Sequence, residues 1–334
     1  MISLAMFNNK GGVGKTTLAY HLAHMISRMD LNVLAVDLDP QANLTAHFLD
    51  ESELDDLWDH DMSSQRRTVA GAVFPIVDGT GDIAVIEPVE VTGSLSLLPG
   101  DLALSSFEER LAQEWPSTLA GSNNAAIRAT SSFFRIITQA AGSTGADLVL
   151  IDVGPNLGAL NRAALLAADR VLVPLGADLF SVQGLRNLGP ALRRWRHDWQ
   201  SLVVPKAPAA IPIPAGAMDP LGYVVMQPSM RLDRPVMAYQ RWLSRIPQVY
   251  AEEITEPGAD GAGEIATVRN FRSLMPLAHD ARKPMFDLRA ADGAIGSTSR
   301  YVQVCHREFV DLSSRVLARL GLRSPGAIEG RVGA

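Results

Sequence analysis

The chain has 334 residues and a formal net charge of −6, with 47% hydrophobic and 20% charged residues. This composition suits a globular protein with a large α/β core, and no apolar run approaches the roughly 18 to 20 residues of a membrane span. Cys305 is the single cysteine, which excludes a disulfide framework or a cysteine metal cluster within one chain. The N-terminal residues lack a basic leader and a cleavage site, so we expect a cytoplasmic protein. The negative charge disfavours nucleic-acid binding over the whole surface but allows a local basic patch.

The first predicted elements are a strand, a glycine-rich loop and a helix. The apolar run ISLAMF (2–7) is typical of a buried strand, and the apolar residues of 16–29 recur at helical spacing. Between them, NNKGGVGKTT (8–17) reads as a phosphate-binding loop in the sequence context that such a loop requires. The strict pattern has glycine at position 9, where this chain has Asn9, and a second lysine, Lys10, lies close to Lys15.

This loop predicts a site for ATP and Mg²⁺. Backbone N–H groups would surround the β-phosphate, with the positive end of the helix behind them. The residues that would supply these groups are Gly11, Gly12, Val13, Gly14, Lys15 and Thr16. Lys15 would bridge β- and γ-phosphate oxygens, the Thr16 hydroxyl would bind Mg²⁺, and Thr17 could reach the α-phosphate.

The second predicted strand, NVLAVDLD (32–39), ends in two aspartates and Pro40. Asp37 and Asp39 are two residues apart and therefore point to the same side of an extended chain. Beside a phosphate site, such a pair can hold the magnesium shell or polarise an attacking water. The alternative is that the two carboxylates only cap the PQANL segment that follows.

Residues 50–80, acidic at first and then mixed with glycines, predict loops around short elements.

Alternating strands and helices continue along the chain. We expect strands at 146–153, 170–175, 223–227 and 264–268, and helices at 157–168 and 181–195, the second kinked near Pro190. Asp152 ends the first of these strands, where a magnesium carboxylate belongs in a P-loop protein. Five prolines in 203–222 predict an extended or mobile excursion, and residues 323–334 predict a disordered tail. The predicted fold class is α/β, a mostly parallel twisted sheet with helices on both faces.

Three ordered motifs together resemble the ParA/MinD family of deviant Walker A P-loop ATPases, and most of all its ParA/Soj partition branch. They are KGGVGKTT, VDLDPQANLT and LVLIDVGPNLGALNRAALLAADRVLVPL. Further similar segments are SLLPGDLALSSFEERL (96–111), FSVQGL (180–185) and VRNFRSLMPLAHDARKPM (268–285). The resemblance implies one ATPase domain over 1–322, with elaborations near 50–80, 115–145 and 203–260.

The resemblance also implies roles for single residues. Lys10 would be the signature lysine, which reaches the phosphates of the partner subunit in an ATP-bound homodimer. Asp39 would position the attacking water, Asp37 would join Thr16 and Asp152 around Mg²⁺, and Gln227 would contact the adenine edge. Slow hydrolysis and a stimulating partner, ParB-like or other, are further implications. The chain departs from the family after Asp152, where it reads VGPN in place of the usual two prolines, so we expect Gly154 to loosen the switch.

Non-specific DNA is the partner that the resemblance favours, with a DNA or protein cargo positioned through it. Three groups of basic residues are candidate phosphate contacts, and each can also be read as an ordinary solvated face. They are Arg193, Arg194, Arg196 and His197; the pair Arg269 and Arg272; and a helical stripe of Arg315, Arg319 and Arg323.

Other classes of function remain as alternatives. A MinD-like, membrane-directed regulator would need a terminal amphipathic helix; residues 306–322 are amphipathic, but a helix packed on the core explains them as well. A small-substrate synthetase such as dethiobiotin synthetase shares the loop but needs a substrate pocket that the sequence does not reveal. An electron-donating ATPase like the nitrogenase iron protein is excluded, because Cys305 cannot supply a cluster site.

Overall fold

The structure is a computed structural model that describes residues 1–58, 67–121, 123–227, 236–255, 263–271 and 273–322. The described residues form one eight-stranded sheet, with the strand order β3-β4-β2-β5-β1-β6-β7-β8. The strands are β1 (Ile2–Met6), β2 (Val33–Asp37), β3 (Val89–Thr92), β4 (Leu95–Leu98), β5 (Leu148–Asp152), β6 (Arg170–Gly176), β7 (Asp219–Met226) and β8 (Glu264–Val268). All neighbouring pairs are parallel except β3 and β4.

Helices cover both faces of this sheet. In the first half they are α1 (Lys15–Ile26), α2 (Asn43–Phe48), α3 (Glu51–Trp58), α4 (Val69–Val77), α5 (Phe107–Ala120), α6 (Asn124–Thr130) and α7 (Ser132–Thr144). In the second half they are α8 (Ala159–Leu166), α9 (Leu179–Asp198), α10 (Val236–Leu243), α11 (Ile246–Glu253), α12 (Met275–Ala281) and α13 (Ser297–Leu320). The predicted fold class is therefore confirmed.

The central strands are apolar along their whole length because both of their faces are buried. Side chains alternate between two cores: Phe7 and Ile151 join the helices α4 to α9, whereas Met6 and Leu150 join α1, α2 and α13. Because these strands are parallel, their carboxyl ends lie at the same edge of the sheet. Here Asp152 is in register with Met6 on one side and with Asp37 on the other.

The structure corrects several predictions at the sequence level. Within 50–80 the described residues form two short helices, α3 and α4, while residues 59–66 lie outside the described part of the chain; the adjacent strands β3 and β4 were not foreseen. Residues 115–145 include the helices α6 and α7, which pack on one face of the sheet, and their being an elaboration stays a prediction. The excursion expected over 203–222 is shorter, because β7 already begins at Asp219 and includes Pro220. Helix α9 also extends beyond 181–195 and continues past Pro190.

The C-terminal helix α13 packs on the core, as one of the two readings of its amphipathic pattern predicted. Its buried face includes Cys305, Phe309 and Val316. None of the described helices is both long and apolar enough to cross a membrane. The predicted tail 323–334, and Arg323 with it, lies outside the described residues.

Two arginines of α13 attach this helix to the edge strand β8. Arg319 donates hydrogen bonds to the carbonyl oxygens of Leu221 (3.0 Å), Gly263 (2.9 Å) and Glu264 (2.9 Å). Arg315 donates to the carbonyl oxygen of Ile265 (3.1 Å) and pairs with Asp311 on its own helix. These guanidinium groups therefore have a structural role in closing the sheet edge.

We predict that Arg319→Ala lowers the free energy of unfolding by about 2 kcal/mol, because hydrogen bonds from a charged donor are lost at three carbonyl groups. Denaturant unfolding measures this change. Arg300→Ala, at an exposed position of the same helix, is the matched control and should change the free energy by less than about 0.5 kcal/mol. Equal effects of the two substitutions would contradict the role given to Arg319.

Candidate functional site

The loop between β1 and α1 has the backbone that a phosphate cradle requires. Gly12 (φ +70°) and Gly14 (φ +90°) adopt left-handed conformations that favour glycine. Asn8 fixes the start of the loop, since its Nδ2 donates to the Pro174 carbonyl oxygen (2.6 Å) and its Oδ1 accepts from the Lys10 N–H (3.0 Å). Helix α1 begins directly after Gly14 without a side-chain cap, so its first N–H groups remain available to a ligand.

Asn9 occupies the position where the strict loop pattern has glycine. Its φ is not positive, so the backbone there does not require glycine. Its side chain uses space left by a glycine elsewhere: a Cβ on Gly184 of α9 would come within 2.5 Å of Asn9 Oδ1. The irregularity is therefore accommodated by packing against α9.

Lys15 lies in a buried group of charges with three aspartates. Its residue is 7% exposed, compared with 6% for Asp39 and 0% for Asp37 and Asp152. Burial lowers the pKa of Lys15, while the carboxylates of Asp152 and Asp39 act in the opposite direction. The structure thus brings together four of the predicted site residues at the carboxyl edge of the sheet.

Asp37 has a different environment from the one expected of a magnesium ligand. Its Oδ2 accepts hydrogen bonds from the backbone N–H and the hydroxyl of Thr45, both at 2.8 Å, and its Oδ1 accepts from the Asp39 N–H at 3.2 Å. Burial raises its pKa to about 6, although these hydrogen bonds oppose the rise. Both oxygens are engaged in holding the β2–α2 connection, which disfavours the predicted role of Asp37 in the magnesium shell.

Asp152 is the carboxylate that fits a metal best. Both of its oxygens are buried, and within the described residues neither has a hydrogen bond of normal geometry, although the Thr16 hydroxyl lies close enough to affect the pKa of the carboxyl group. Burial and the negative charge of Asp37 raise its pKa to about 8, with the Thr16 hydroxyl and Lys15 acting in the opposite direction. Over the described part of the chain no three acidic, histidine or cysteine side chains converge on one point. Mg²⁺ in nucleotide sites uses one or two protein oxygens together with phosphate and water, so a single carboxylate at this position could serve it.

Asp39 retains an oxygen free for a ligand. Its Oδ1 accepts from the Gln41 N–H (3.0 Å), whereas its Oδ2 has no hydrogen bond among the described residues. Gly154 lies against it, since a Cβ there would be 3.4 Å from Asp39 Oδ1. The Gly154 carbonyl oxygen accepts from Asn161 Nδ2 (3.0 Å). That Gly154 loosens the switch stays a prediction.

Lys10 is separate from the buried charges and lies on the outer rim of the loop. Its Nζ pairs with Asp178 Oδ2 at 2.5 Å, and both side chains are 31% exposed. Asp178 also caps α9 by accepting from the Ser181 N–H (2.9 Å). Burial would raise the pKa of Asp178, but the hydrogen bonds from Lys10 and Ser181 outweigh it and hold the pKa below its ordinary value. The sequence analysis did not predict Asp178 as a partner of Lys10, because the two residues are 168 positions apart in the chain.

A cavity of about 1060 Å³ opens beside the loop. The residues that line it at the loop include Lys10, Gly12, Gly14 and Thr17. Gln227, the predicted adenine contact, follows β7 and also lines the cavity, as do Val268–Phe271 after β8 and parts of α10. The volume is at the upper end of what small-molecule sites usually have.

The predicted DNA contacts are scattered, and most are engaged within the fold. Arg193 donates to the Glu253 carbonyl oxygen, and Arg196 donates to those of Ala217 (2.6 Å) and Met218 (2.9 Å). Arg269 lies at the cavity and pairs with Glu308 (2.8 Å). Arg315 and Arg319 bind strand carbonyls, which disfavours the helical stripe as a DNA site. Arg194 and His197 are exposed on α9, and Arg272 lies outside the described residues.

Comparison with known proteins identifies the family. A family model described as an AAA domain matches residues 1–202. The chain is 31% identical to the chromosome-partitioning ATPase Soj of Thermus thermophilus over 193 residues, which are 58% of this chain and 62% of that protein. The chain belongs to the ParA family of P-loop ATPases. It spans 49% and 62% of the lengths of the first curated relatives that it matches.

Solved structures share the fold over nearly the whole chain. Protein DIP2308 of Corynebacterium diphtheriae has a TM-score of 0.71 at 23% identity, and the match covers 96% of this chain and 99% of that one. McdA of Cyanothece in complex with ATP has a TM-score of 0.62 at 16% identity, with 97% of both chains covered. At these identities the likeness shows the fold alone.

The buried aspartates predict a pH dependence of the ligand-free protein. Asp152 and Asp37 have folded-state pKa values of about 8 and about 6, above the ordinary 3.8. The folded state therefore binds more protons than the unfolded state, and the free energy of unfolding should fall as pH rises from about 4 to about 8. Denaturant unfolding across this range should show a shallower fall for Asp152→Asn than for the wild type. Parallel profiles would contradict the burial argument.

Proposed function

We propose that this ParA-family chain is an ATP-dependent dimeric switch with slow MgATP hydrolysis, which positions DNA or a protein cargo. The observation that carries the proposal is the division of the two loop lysines: Lys15 is buried among carboxylates, whereas Lys10 lies on the exposed rim. In this proposal Lys15 would bind the phosphates held by its own chain, and Lys10 would reach those held by a second subunit.

Nucleotide binding follows from the P-loop. Backbone N–H groups of 11–16 and Lys15 would hold the phosphates, and the Thr16 hydroxyl and Asp152 would hold Mg²⁺. When bound, Mg²⁺ neutralises charge on the β- and γ-phosphate oxygens. The buried Asp152 oxygens, which lack hydrogen bonds of normal geometry, support this assignment, because a cation that replaces the proton of this carboxyl group would stabilise its charged form.

Hydrolysis would use Asp39 to orient the attacking water. Its free Oδ2 can accept a hydrogen bond from water while the Gln41 N–H holds the other oxygen of the carboxylate. A buried, oriented acceptor of this kind acts by positioning the nucleophile.

Dimerisation would bring Lys10 to the partner's phosphates. In the single chain its Nζ is neutralised by Asp178, so on association it would exchange a carboxylate for a phosphate. The next two residues, Leu179 and Phe180, are 52% and 70% exposed, and the Lys10 Nζ lies 5.9 Å from the centre of the Phe180 ring. Two exposed apolar side chains beside the signature lysine are what a partner surface would cover.

DNA remains the proposed partner on the basis of relatives named for partitioning. Arg194 and His197 are exposed on α9 and are the described candidates that the fold itself uses least. The ParB-like stimulating protein also remains a proposal. The membrane-directed alternative gains no support, because the apolar face of α13 is buried in the core.

Three substitutions test the switch. Lys15→Ala should abolish ATP binding. Asp39→Ala should bind MgATP and accumulate as a dimer, and Lys10→Ala should bind ATP as a monomer and lose at least about 100-fold in hydrolysis, as for removal of a transition-state contact. Light scattering and a phosphate-release assay measure these outcomes.

Lys206→Ala is the control for the lysine substitutions, because Lys206 is exposed and distant in sequence from the P-loop. This variant should behave as the wild type. Full hydrolysis by Lys10→Ala would show that Lys10 has no part in catalysis. An Asp39→Ala protein that stays monomeric at saturating MgATP would overturn the role given to Asp39.

Binding to random-sequence duplex DNA tests the cargo hypothesis. A gel shift should appear with MgATP, weaken with MgADP or without nucleotide, and fall steeply as salt rises. Log affinity for DNA should fall less steeply with log salt concentration for Arg194→Ala. The magnitude of the slope should decrease by about 1 for each bound subunit, because each subunit loses one arginine. ATP-driven dimers that shift no DNA in any state would instead indicate a protein partner.

A further inference from the structure

The nucleotide cavity extends well beyond the P-loop and ends at helix α10. Tyr239, Gln240, Trp242 and Leu243 of this helix all line it. The sequence had marked this region only as an elaboration with an unnamed partner. The structure instead makes the helix part of the site.

The cavity runs away from the hydrolytic group. Gly12, Gly14 and Thr17 line one end, whereas Asp37, Asp39 and Asp152 are outside its lining. A nucleotide whose phosphates lie on the loop must therefore place its remaining parts, the ribose and the base, in this volume. With about 1060 Å³, the cavity has room for both.

The far part of the cavity has the chemistry of a site for a flat, largely apolar ring. Met226, Val268 and Phe271 supply apolar surface at the ends of β7 and β8. Gln227 and Asn270 are the amides among the lining residues of these two strand ends, and such side chains can read the edge of a base.

Helix α10 is fixed firmly enough to act as a wall. Tyr239, Trp242 and Leu243 pack against the core that contains Ile246 and Tyr250 of α11. The Trp242 ring lies near two guanidinium groups, those of Arg241 and Arg245, at 5.8 and 5.5 Å from the ring centre. Both arginines are exposed, so the pairs hold the ring without burying a charge.

Tyr239 carries a second indication of a ligand. Its hydroxyl is buried and has no hydrogen-bond partner among the described residues. A buried hydroxyl without a partner is unfavourable, and a ligand that offers a donor or acceptor there would remove the penalty. A ribose hydroxyl or a base nitrogen can do so.

We propose that α10 is the base-side wall of the nucleotide site, and that Tyr239 and Trp242 contact the adenine base and the ribose of the nucleotide bound by the P-loop. The inference rests on the proposed nucleotide-binding function and adds to it two residues outside every nucleotide motif of the chain. These two residues would contact the base and the ribose, which inorganic phosphates lack.

The test compares ATP with inorganic tripolyphosphate, both with Mg²⁺, by isothermal titration calorimetry. Tyr239→Leu combined with Trp242→Leu should weaken ATP binding about tenfold or more, which is the usual loss when aromatic contacts to a base are removed. Tripolyphosphate affinity should change by less than about twofold. Trp115→Leu is the matched control, because Trp115 is also half-buried, with a guanidinium (Arg162) 4.0 Å from its ring centre, but lies outside the cavity.

The outcomes separate the inference from the proposed function. A wild type that binds neither ligand overturns both. A wild type that binds ATP in a Lys15-dependent way, with ATP and tripolyphosphate affected equally by the double substitution, overturns the wall alone.

A second measurement needs no variant. Photolabelling of the wild-type chain with 8-azido-ATP, followed by peptide mapping, should place label on the peptides that contain Tyr239 and Trp242. Label confined to other peptides would overturn the proposal even if the double variant failed to fold.

Discussion

The pairing of β2, β5 and β1 in one parallel register is the constraint on which the site depends. It places Asp37 and Asp152 side by side at strand ends that are wholly buried. Burial removes hydration from both carboxylates, which is the main reason why both pKa values rise; the negative charge of Asp39 adds to the rise at Asp37, and that of Asp37 adds to the rise at Asp152. Asp37 is stabilised by hydrogen bonds from Thr45, whereas Asp152 has no hydrogen bond of normal geometry within the described residues. One strand end therefore completes the fold, and its neighbour is free to bind a cation.

The two lysines of the P-loop also lie in different environments. Lys15 balances charge inside the buried group, but Lys10, five residues earlier, is paired with an acid at the start of α9. The same helix accommodates Asn9 through Gly184. Helix α9 thus shapes the outer half of the loop, as α1 shapes the inner half. A movement of α9 would therefore shift Asp178 and change its ion pair with Lys10.

Local patterns in the sequence were enough for the P-loop, the central strands and the fold class, since each depends on apolar runs and glycines close together in the chain. They were not enough for β3 and β4, which are four residues each and joined tightly, so their pattern is short. The prolines of 203–222 hid the start of β7, because Pro220 is tolerated near a strand's first residue. The partners of Lys10, Asp37 and Arg319 come from distant or irregular segments, and only the folded chain reveals them. Arg315 and Arg319 look like a basic stripe until the carbonyl groups that they bind are seen.

Those carbonyl groups belong to the margin of the sheet. Edge strands usually present a row of unpaired acceptors and donors on which another chain can add a strand, and proteins protect them with charges, prolines or bulges. In β8 the carbonyl oxygens of Glu264 and Ile265 instead accept hydrogen bonds from guanidinium groups of α13. A strand added at this point would have to displace that helix. The molecule's own C-terminal helix therefore competes with any strand that would extend the sheet at β8.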